Sequence, residues 1–127
     1  MKPKILVVDD QKEDRQKLRE ALERKCEIEE AESGEGAIEK IKNFGDFDVV
    51  LLDVYMPEDK EVGLDFLKKI RSADPNTKVI MVTVEGRVKK AIEYVQAGAS
   101  SFVTKPFNPS VLLNVISKAI GRKFREG

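Results

Sequence analysis

The sequence predicts an α/β fold: a doubly wound parallel sheet of five strands, wrapped by five helices. Three observations carry this. The apolar runs KILVV (4–8), DVVLL (48–52) and KVIMV (78–82) are continuous rather than alternating, as expected of strands covered on both faces. Segments with helical spacing of apolar residues separate them, and strand–helix alternation implies right-handed crossovers with helices on both faces. Each run also ends in a polar residue that a buried strand does not need.

Taken in order, KILVV is the first strand, and Leu18, Ala21 and Leu22 mark the first helix. CEIEEA (26–31) alternates weakly and reads as an exposed edge strand. Ala37, Ile38 and Ile41 mark a second helix, capped by Ser33. After DVVLL, Leu64, Phe66, Leu67 and Ile70 mark a third helix, stopped by Asp74-Pro75. KVIMV leads to a fourth helix with the stripe Val88, Ala91, Ile92 and Val95, closed by Gly98. SFV (101–103) is the last strand. The last helix runs from about Pro109 to Phe124, with Asn108 as N-cap and Pro109 in its first turn.

Composition restricts the chemistry. The 127 residues fit one domain, expected over 1–120, with 121–127 as a helix end or the start of a linker. Basic and acidic side chains number 23 each, so no basic field points to nucleic acid or an anionic membrane. No apolar stretch is long enough for a membrane span or a signal peptide, and a cytoplasmic protein is expected. The single cysteine, Cys26, reads as a small buried hydrophobe. With no histidine, Ser–His–Asp triads, Cys–His pairs and His-ligated metals are excluded.

What remains are carboxylates, hydroxyls and lysine at the strand ends. KILVV ends in Asp9 and Asp10, DVVLL in Asp53, KVIMV in Thr83, and SFVT in Lys105. In doubly wound sheets, ligands bind outside the carboxyl ends of the strands, so these groups share one rim. Two carboxylates about 4 Å apart repel by roughly 4 kcal/mol at an effective dielectric near 20, and Lys105 offsets only part of this. Such a cluster takes up protons or a hard cation, Mg²⁺ or alternatively Mn²⁺. A divalent ion beside an ammonium and a hydroxyl suits a phosphoryl group, with one aspartate available as nucleophile. Singly, each residue has a plainer role: the aspartates as caps of the first helix, Thr83 as a strand residue, Lys105 as a solvated charge.

Together, VVDD (7–10), LLDVYMP (51–57), VTVEG (82–86) and FVTKPF (102–107) closely resemble the receiver domain of two-component response regulators, of the chemotaxis-regulator kind. The resemblance covers about residues 3 to 120 and implies the flavodoxin-like strand order 2-1-3-4-5, which places the first and third strands side by side at the centre of the sheet. It implies that Asp53 accepts a phosphoryl group from a histidine kinase or phosphotransfer protein. Asp10 and Asp53 would ligate Mg²⁺ with the backbone carbonyl of Tyr55, and Asp9 would act through water on the metal. Lys105 would pair with Asp53 and then with phosphoryl oxygens. Thr83 and the Val84 amide would hold the arriving group, and Phe102 stands at the switch aromatic. The Lys105–Pro106 bond would be cis.

Phosphorylation adds roughly −1.5 to −2 charges, which would draw in Thr83 and Lys105 and shift the face formed by the fourth helix, fifth strand and fifth helix. The implied output is binding to a downstream target or fused effector domain, or a homodimer through that face. Direct nucleic-acid or membrane contact is not expected, and neither is enzyme activity beyond self-catalysed phosphoryl transfer and dephosphorylation.

Some features depart from the family pattern. The segment EDKEV (58–62) is about two residues longer than usual, and Val62 precedes Gly63 where an acid or amide is frequent. Val84 is bulkier than the usual residue. Tyr55 and Glu85 occupy positions that tune phosphoryl lifetime, and together this bulk predicts a long-lived phosphorylated state. Phe102 lacks a tyrosine hydroxyl. Ser100 and Ser101 stand where many DNA-binding regulators carry acids used in dimer ion pairs. The last helix has more apolar positions than one buried stripe needs.

Three other readings compete. An aspartate-nucleophile phosphohydrolase needs a second acid two residues after the nucleophile, where this chain has Tyr55. A flavin-binding module needs a Ser/Thr/Gly-rich phosphate cradle that the loops lack. A degenerate receiver, acting only as a protein-binding module, would not need the intact five-residue set.

Overall fold

In the computed structural model, residues 2–53, 63–84, 86, 88–122 and 124 are described, apart from the side chains of residues 63–65 and 90. Strands and helices alternate strictly: β1 (Lys4–Val8), α1 (Lys12–Leu22), β2 (Glu27–Ala31), α2 (Gly34–Phe44), β3 (Val49–Asp53), α3 (Gly63–Ala73), β4 (Lys78–Val84), α4 (Val88–Gln96), β5 (Ser101–Lys105) and α5 (Pro109–Ile120). The strands form one parallel sheet in the order β2-β1-β3-β4-β5, as expected from the sequence.

The continuous apolar runs resolve into two faces with the period of two that a strand imposes. Leu6, Val8, Val50, Leu52, Val79 and Met81 pack against α2, α3 and α4 through Ala37, Ile41, Phe66, Leu67, Ile70, Ala91 and Tyr94. Ile5, Val7, Val49, Leu51, Ile80, Val82 and Val103 face α1 and α5 through Leu18, Leu22, Leu112 and Ile116. At Gly34, an added Cβ would lie 3.2 Å from two ring atoms of Phe66, so the missing side chain permits the close approach of α2 to α3.

Helix ends follow the expected chemistry. The Ser33 hydroxyl accepts from the Gly36 amide, and the Asn108 side chain accepts from that of Ser110. Helix α3 stops before Asp74, and Gly98 has a positive φ after α4.

Four details differ from the sequence reading. Helix α5 ends at Ile120 rather than Phe124, because Gly121 takes a left-handed conformation and its amide closes on Ser117 O. Strands β4 and β5 run on to Val84 and Lys105, so the polar residues extend the ladder rather than end it. In α4 the inward stripe centres on Ala91 and Tyr94, while Ile92 is 43% exposed. At 100° per residue, Ile92 lies about 130° from the middle of the Ala91–Tyr94 stripe, off the buried face. Finally, β2 is half-buried rather than exposed, because Arg15 and Arg19 of α1 and Lys40 of α2 pair with Glu30 and Glu29 across it.

Candidate functional site

Sheet register builds the site. Val8 pairs with Leu52, which sets Asp9 and Asp53 next to each other at the carboxyl edge of the central strands. Asp53 pairs with Val82, and Val84 with Lys105, so β4 and β5 deliver Thr83 and Lys105 to the same edge. One carboxylate oxygen from each of Asp9, Asp10 and Asp53 lies within 4.8 Å of the others, a geometry able to hold a metal ion. All-oxygen, all-anionic ligands at this spacing fit a hard divalent cation.

The three acids are not equivalent. Asp9 is 1% exposed. Its Oδ1 accepts from the Gln11 amide at 2.9 Å, its Oδ2 from Lys105 Nζ at 3.1 Å. The expectation that the acids cap α1 is met only in this limited way: the N-cap is Gln11, whose side chain makes no capping bond. Asp10 is half-buried and Asp53 only slightly exposed.

Lys105 reaches the cluster from β5, and the Lys105–Pro106 peptide is cis. Its ammonium was expected on Asp53, yet it sits 3.9 Å from Asp53 Oδ2, against 3.1 Å from Asp9 Oδ2 and 3.0 Å from Asp14 Oδ2. Burial alone would favour the neutral amine. The charges of Asp53 and Asp9 and the hydrogen bonds to Asp14 and Asp9 outweigh it, holding the lysine above its ordinary pKa.

Thr83 is buried, and its hydroxyl donates to the Val84 carbonyl at 3.1 Å. Val84 is 49% exposed and lines a cleft of about 470 Å³ with Asp14, Lys17, Lys105, Pro106 and Phe107. Phe102, paired with Met81, is partly buried against the α2–α4 side of the core. Thr83 follows Met81 by two residues, so it shares that face of the sheet. Tyr55, Glu85 and the segment 58–62 lie outside the described residues. A roomier groove of about 840 Å³ between α2 and α3 is lined by Phe66 and residues such as Glu35, Lys42 and Lys69, away from the acidic edge.

Sequence reasoning missed two participants. Asp14, in the first turn of α1, reads as an acid complementing the helix dipole, and nothing local announces a partner 91 residues away. Arg15 is buried, and its Nη1 donates to the Asp9 carbonyl at 2.6 Å while Nε pairs with Glu30 at 3.2 Å. Glu30 is also held by Arg19 at 2.7 Å. Burial works against ionisation of Glu30, but hydrogen bonds and charge from Arg19 and Arg15 outweigh it and keep the carboxyl below its ordinary range. An arginine six residues after Asp9, ahead of a Glu-rich strand, was the available signal.

An acidic triad, a lysine on a cis-proline and a buried threonine at the carboxyl edge of a 2-1-3-4-5 sheet mark a particular family, and residues 5–117 match the response regulator receiver domain. The chain belongs to that family. The receiver domain is the phosphorylation-switched signalling module of two-component systems rather than a conventional enzyme, and such domains interact with histidine kinases and with effectors or fused effector domains.

The chain is 36% identical over 120 residues to the chemotaxis protein CheY of Thermotoga maritima, covering 93% of this chain and 98% of that protein. It is 38% identical over 122 residues to the transcriptional regulatory protein ResD of Bacillus subtilis, covering 94% of this chain but 48% of ResD. Among solved structures, chemotaxis protein CheY4 of Vibrio cholerae superposes with a TM-score of 0.81 at 34% identity, covering 94% of this chain and 99% of that one. No helix among the described residues is long and apolar enough to cross a membrane.

Proposed function

We propose that this receiver takes a phosphoryl group on Asp53 from a phosphohistidine of a kinase or phosphotransfer protein, with Mg²⁺, and reports it by changing the face of α4, β5 and α5. The observation that carries this reading is the convergence of Asp9, Asp10 and Asp53 beside the Lys105 ammonium. In the reaction, an Asp53 carboxylate oxygen forms a bond to phosphorus as the donor's P–N bond breaks, and the imidazole leaves with a proton. Hydrolysis reverses the gain: water attacks phosphorus and the carboxylate is restored, with free phosphate released.

Asp10 and Asp53, with the Tyr55 carbonyl, would hold the metal, with Mn²⁺ as the alternative ion. When bound, the ion neutralises the acids and clamps a phosphoryl oxygen. Asp9 supports this division of labour: its two oxygens already serve Gln11 and Lys105, whereas Asp10 makes no hydrogen bond or ion pair among the described residues. Lys105 supplies a point charge to the arriving phosphoryl oxygens, Thr83 a hydroxyl and Val84 an amide. Movement of Thr83 toward the new charge vacates space on the face it shares with Phe102, which turns inward on packing alone. Exposed Val84, with Tyr55 and Glu85, sets phosphoryl lifetime.

Residues 1–120 constitute the receiver in this reading, and 121–127 a helix end or the start of a linker. The setting is cytoplasmic, and the output is a protein target, a fused effector or a homodimer. Incubation with acetyl phosphate and Mg²⁺ tests the core claim. One added phosphoryl group in the wild type and none in Asp53→Asn is the expected result. No uptake by the wild type identifies a degenerate receiver, and turnover of exogenous phosphoesters a phosphohydrolase.

A further inference from the structure

The Lys105 ammonium lies within 4 Å of three carboxylates, and the two that it hydrogen-bonds are not the proposed phosphoacceptor. Its nearest carboxylate oxygen belongs to Asp14 at 3.0 Å, on a different element from the metal-binding acids. The Lys105 side chain is 16% exposed and that of Asp14 32%, so the contact lies at the inner lip of the cleft, where solvent screens it only in part. Asp53 stands 0.9 Å farther from the ammonium than Asp14, the difference between 3.9 and 3.0 Å. An ammonium has three N–H donors, and here Asp9 and Asp14 each accept one.

We propose that Asp14 is a positioning residue that holds Lys105 on the α1 side of the cleft in the resting state. It restrains phosphoryl uptake until the ammonium is drawn across to the acceptor. The inference rests on the reading of Asp53 as phosphoacceptor and adds a carboxylate that competes for its lysine. Two effects follow from the geometry. A phosphoryl oxygen must win the ammonium from Asp14 before Lys105 can stabilise the transferring group. Asp14 also lines the 470 Å³ cleft beside Lys105, where its negative charge opposes an anionic donor.

Asp14→Asn keeps the size and helix position of the side chain and removes the charge. Asp14→Glu keeps the charge, and Glu13→Gln removes the same charge from the neighbouring exposed residue of the first turn. Phosphoryl uptake from acetyl phosphate in Mg²⁺, followed by intact mass, is expected to rise about three- to tenfold in Asp14→Asn, the size a partly screened ion pair supports. Glu13→Gln is expected to change it little, and Asp14→Glu to return it to near the wild-type rate.

A second reading needs neither donor nor metal: in EDTA, the Lys105 13Cε and 15Nζ NMR signals should move in Asp14→Asn and stay in Glu13→Gln. The proposal is overturned if Asp14→Asn takes up phosphoryl no faster than the wild type, or if Glu13→Gln accelerates equally, which would make net charge the cause. If the wild type takes up nothing, the phosphoacceptor reading fails and the NMR signals decide alone: an unmoved Lys105 signal in Asp14→Asn refutes the positioning contact.

Discussion

Replacing Asp10 by asparagine should make the metal-free protein more stable and the metal-loaded protein comparatively less so. Asp10 faces two other carboxylates with oxygens no more than 4.8 Å apart. At that distance and an effective dielectric near 20, each like-charge pair costs roughly 3.5 kcal/mol. Both pairs are weakened because Asp10 is half-buried rather than enclosed, and because Lys105 already offsets part of the cluster's charge. A residual gain of about 1–2 kcal/mol is a fair discount for solvent and salt, worth roughly 4–8 °C in a domain of this size.

Saturating Mg²⁺ reverses the ranking. An ion at a hundred times its Kd stabilises the wild type by about 2.7 kcal/mol, while the variant with one fewer carboxylate gains much less. The assay is urea unfolding of both proteins in EDTA and in Mg²⁺, followed by circular dichroism. A variant less stable than wild type in EDTA, or one whose advantage persists unchanged in Mg²⁺, would refute the charge argument.

Other expectations concern separate parts of the molecule. Asp10→Asn should weaken Mg²⁺ binding more than Asp9→Asn by calorimetry, since the Asp9 oxygens already serve Gln11 and Lys105; the reverse order removes the proposed split. Thr77→Val should leave stability unchanged or raise it by about 1 kcal/mol, because the buried Thr77 hydroxyl has no hydrogen-bond partner among the described residues. A clear loss in urea unfolding would mean that the hydroxyl is satisfied.

Glu30, held below its ordinary pKa by the two arginines, contributes stability that is present above the unfolded value. The stability gap between wild type and Glu30→Gln should therefore be flat near neutrality and close as pH falls from about 5 through the folded pKa. A gap that widens on acidification contradicts this. Burial pushes the Cys26 thiol up to about 11 against small opposing contributions from nearby cations, led by Lys2. Native protein should thus resist thiol reagents at pH 8 and react at the unfolded rate once denatured; prompt labelling of the native state would refute its burial. Val84→Ala should speed loss of the phosphoryl group if side-chain bulk restricts access, and an unchanged rate discards that role.

The chain order, the two-sided burial of the central strands and five of the site residues were legible from the sequence because they are local properties. A continuous apolar run of only five residues, flanked by helical patterns, reads as a strand covered on both faces, and a carboxylate pair at its end is out of place without a cation. Sheet register then leaves little freedom for where Asp9, Asp53, Thr83 and Lys105 meet. What only the tertiary structure decided is who holds whom. Asp14 and Arg15 look like ordinary surface charges of a first helical turn. One becomes the nearest carboxylate to Lys105, and the other a buried support of the Asp9 carbonyl. Ile92 and Tyr94 exchanged places in the expected core because a helix's inward direction depends on its rotation against the sheet. Periodicity specifies a face, but pairing energies fall off over a few ångströms, and those distances exist only after chain segments up to 96 residues apart have packed together.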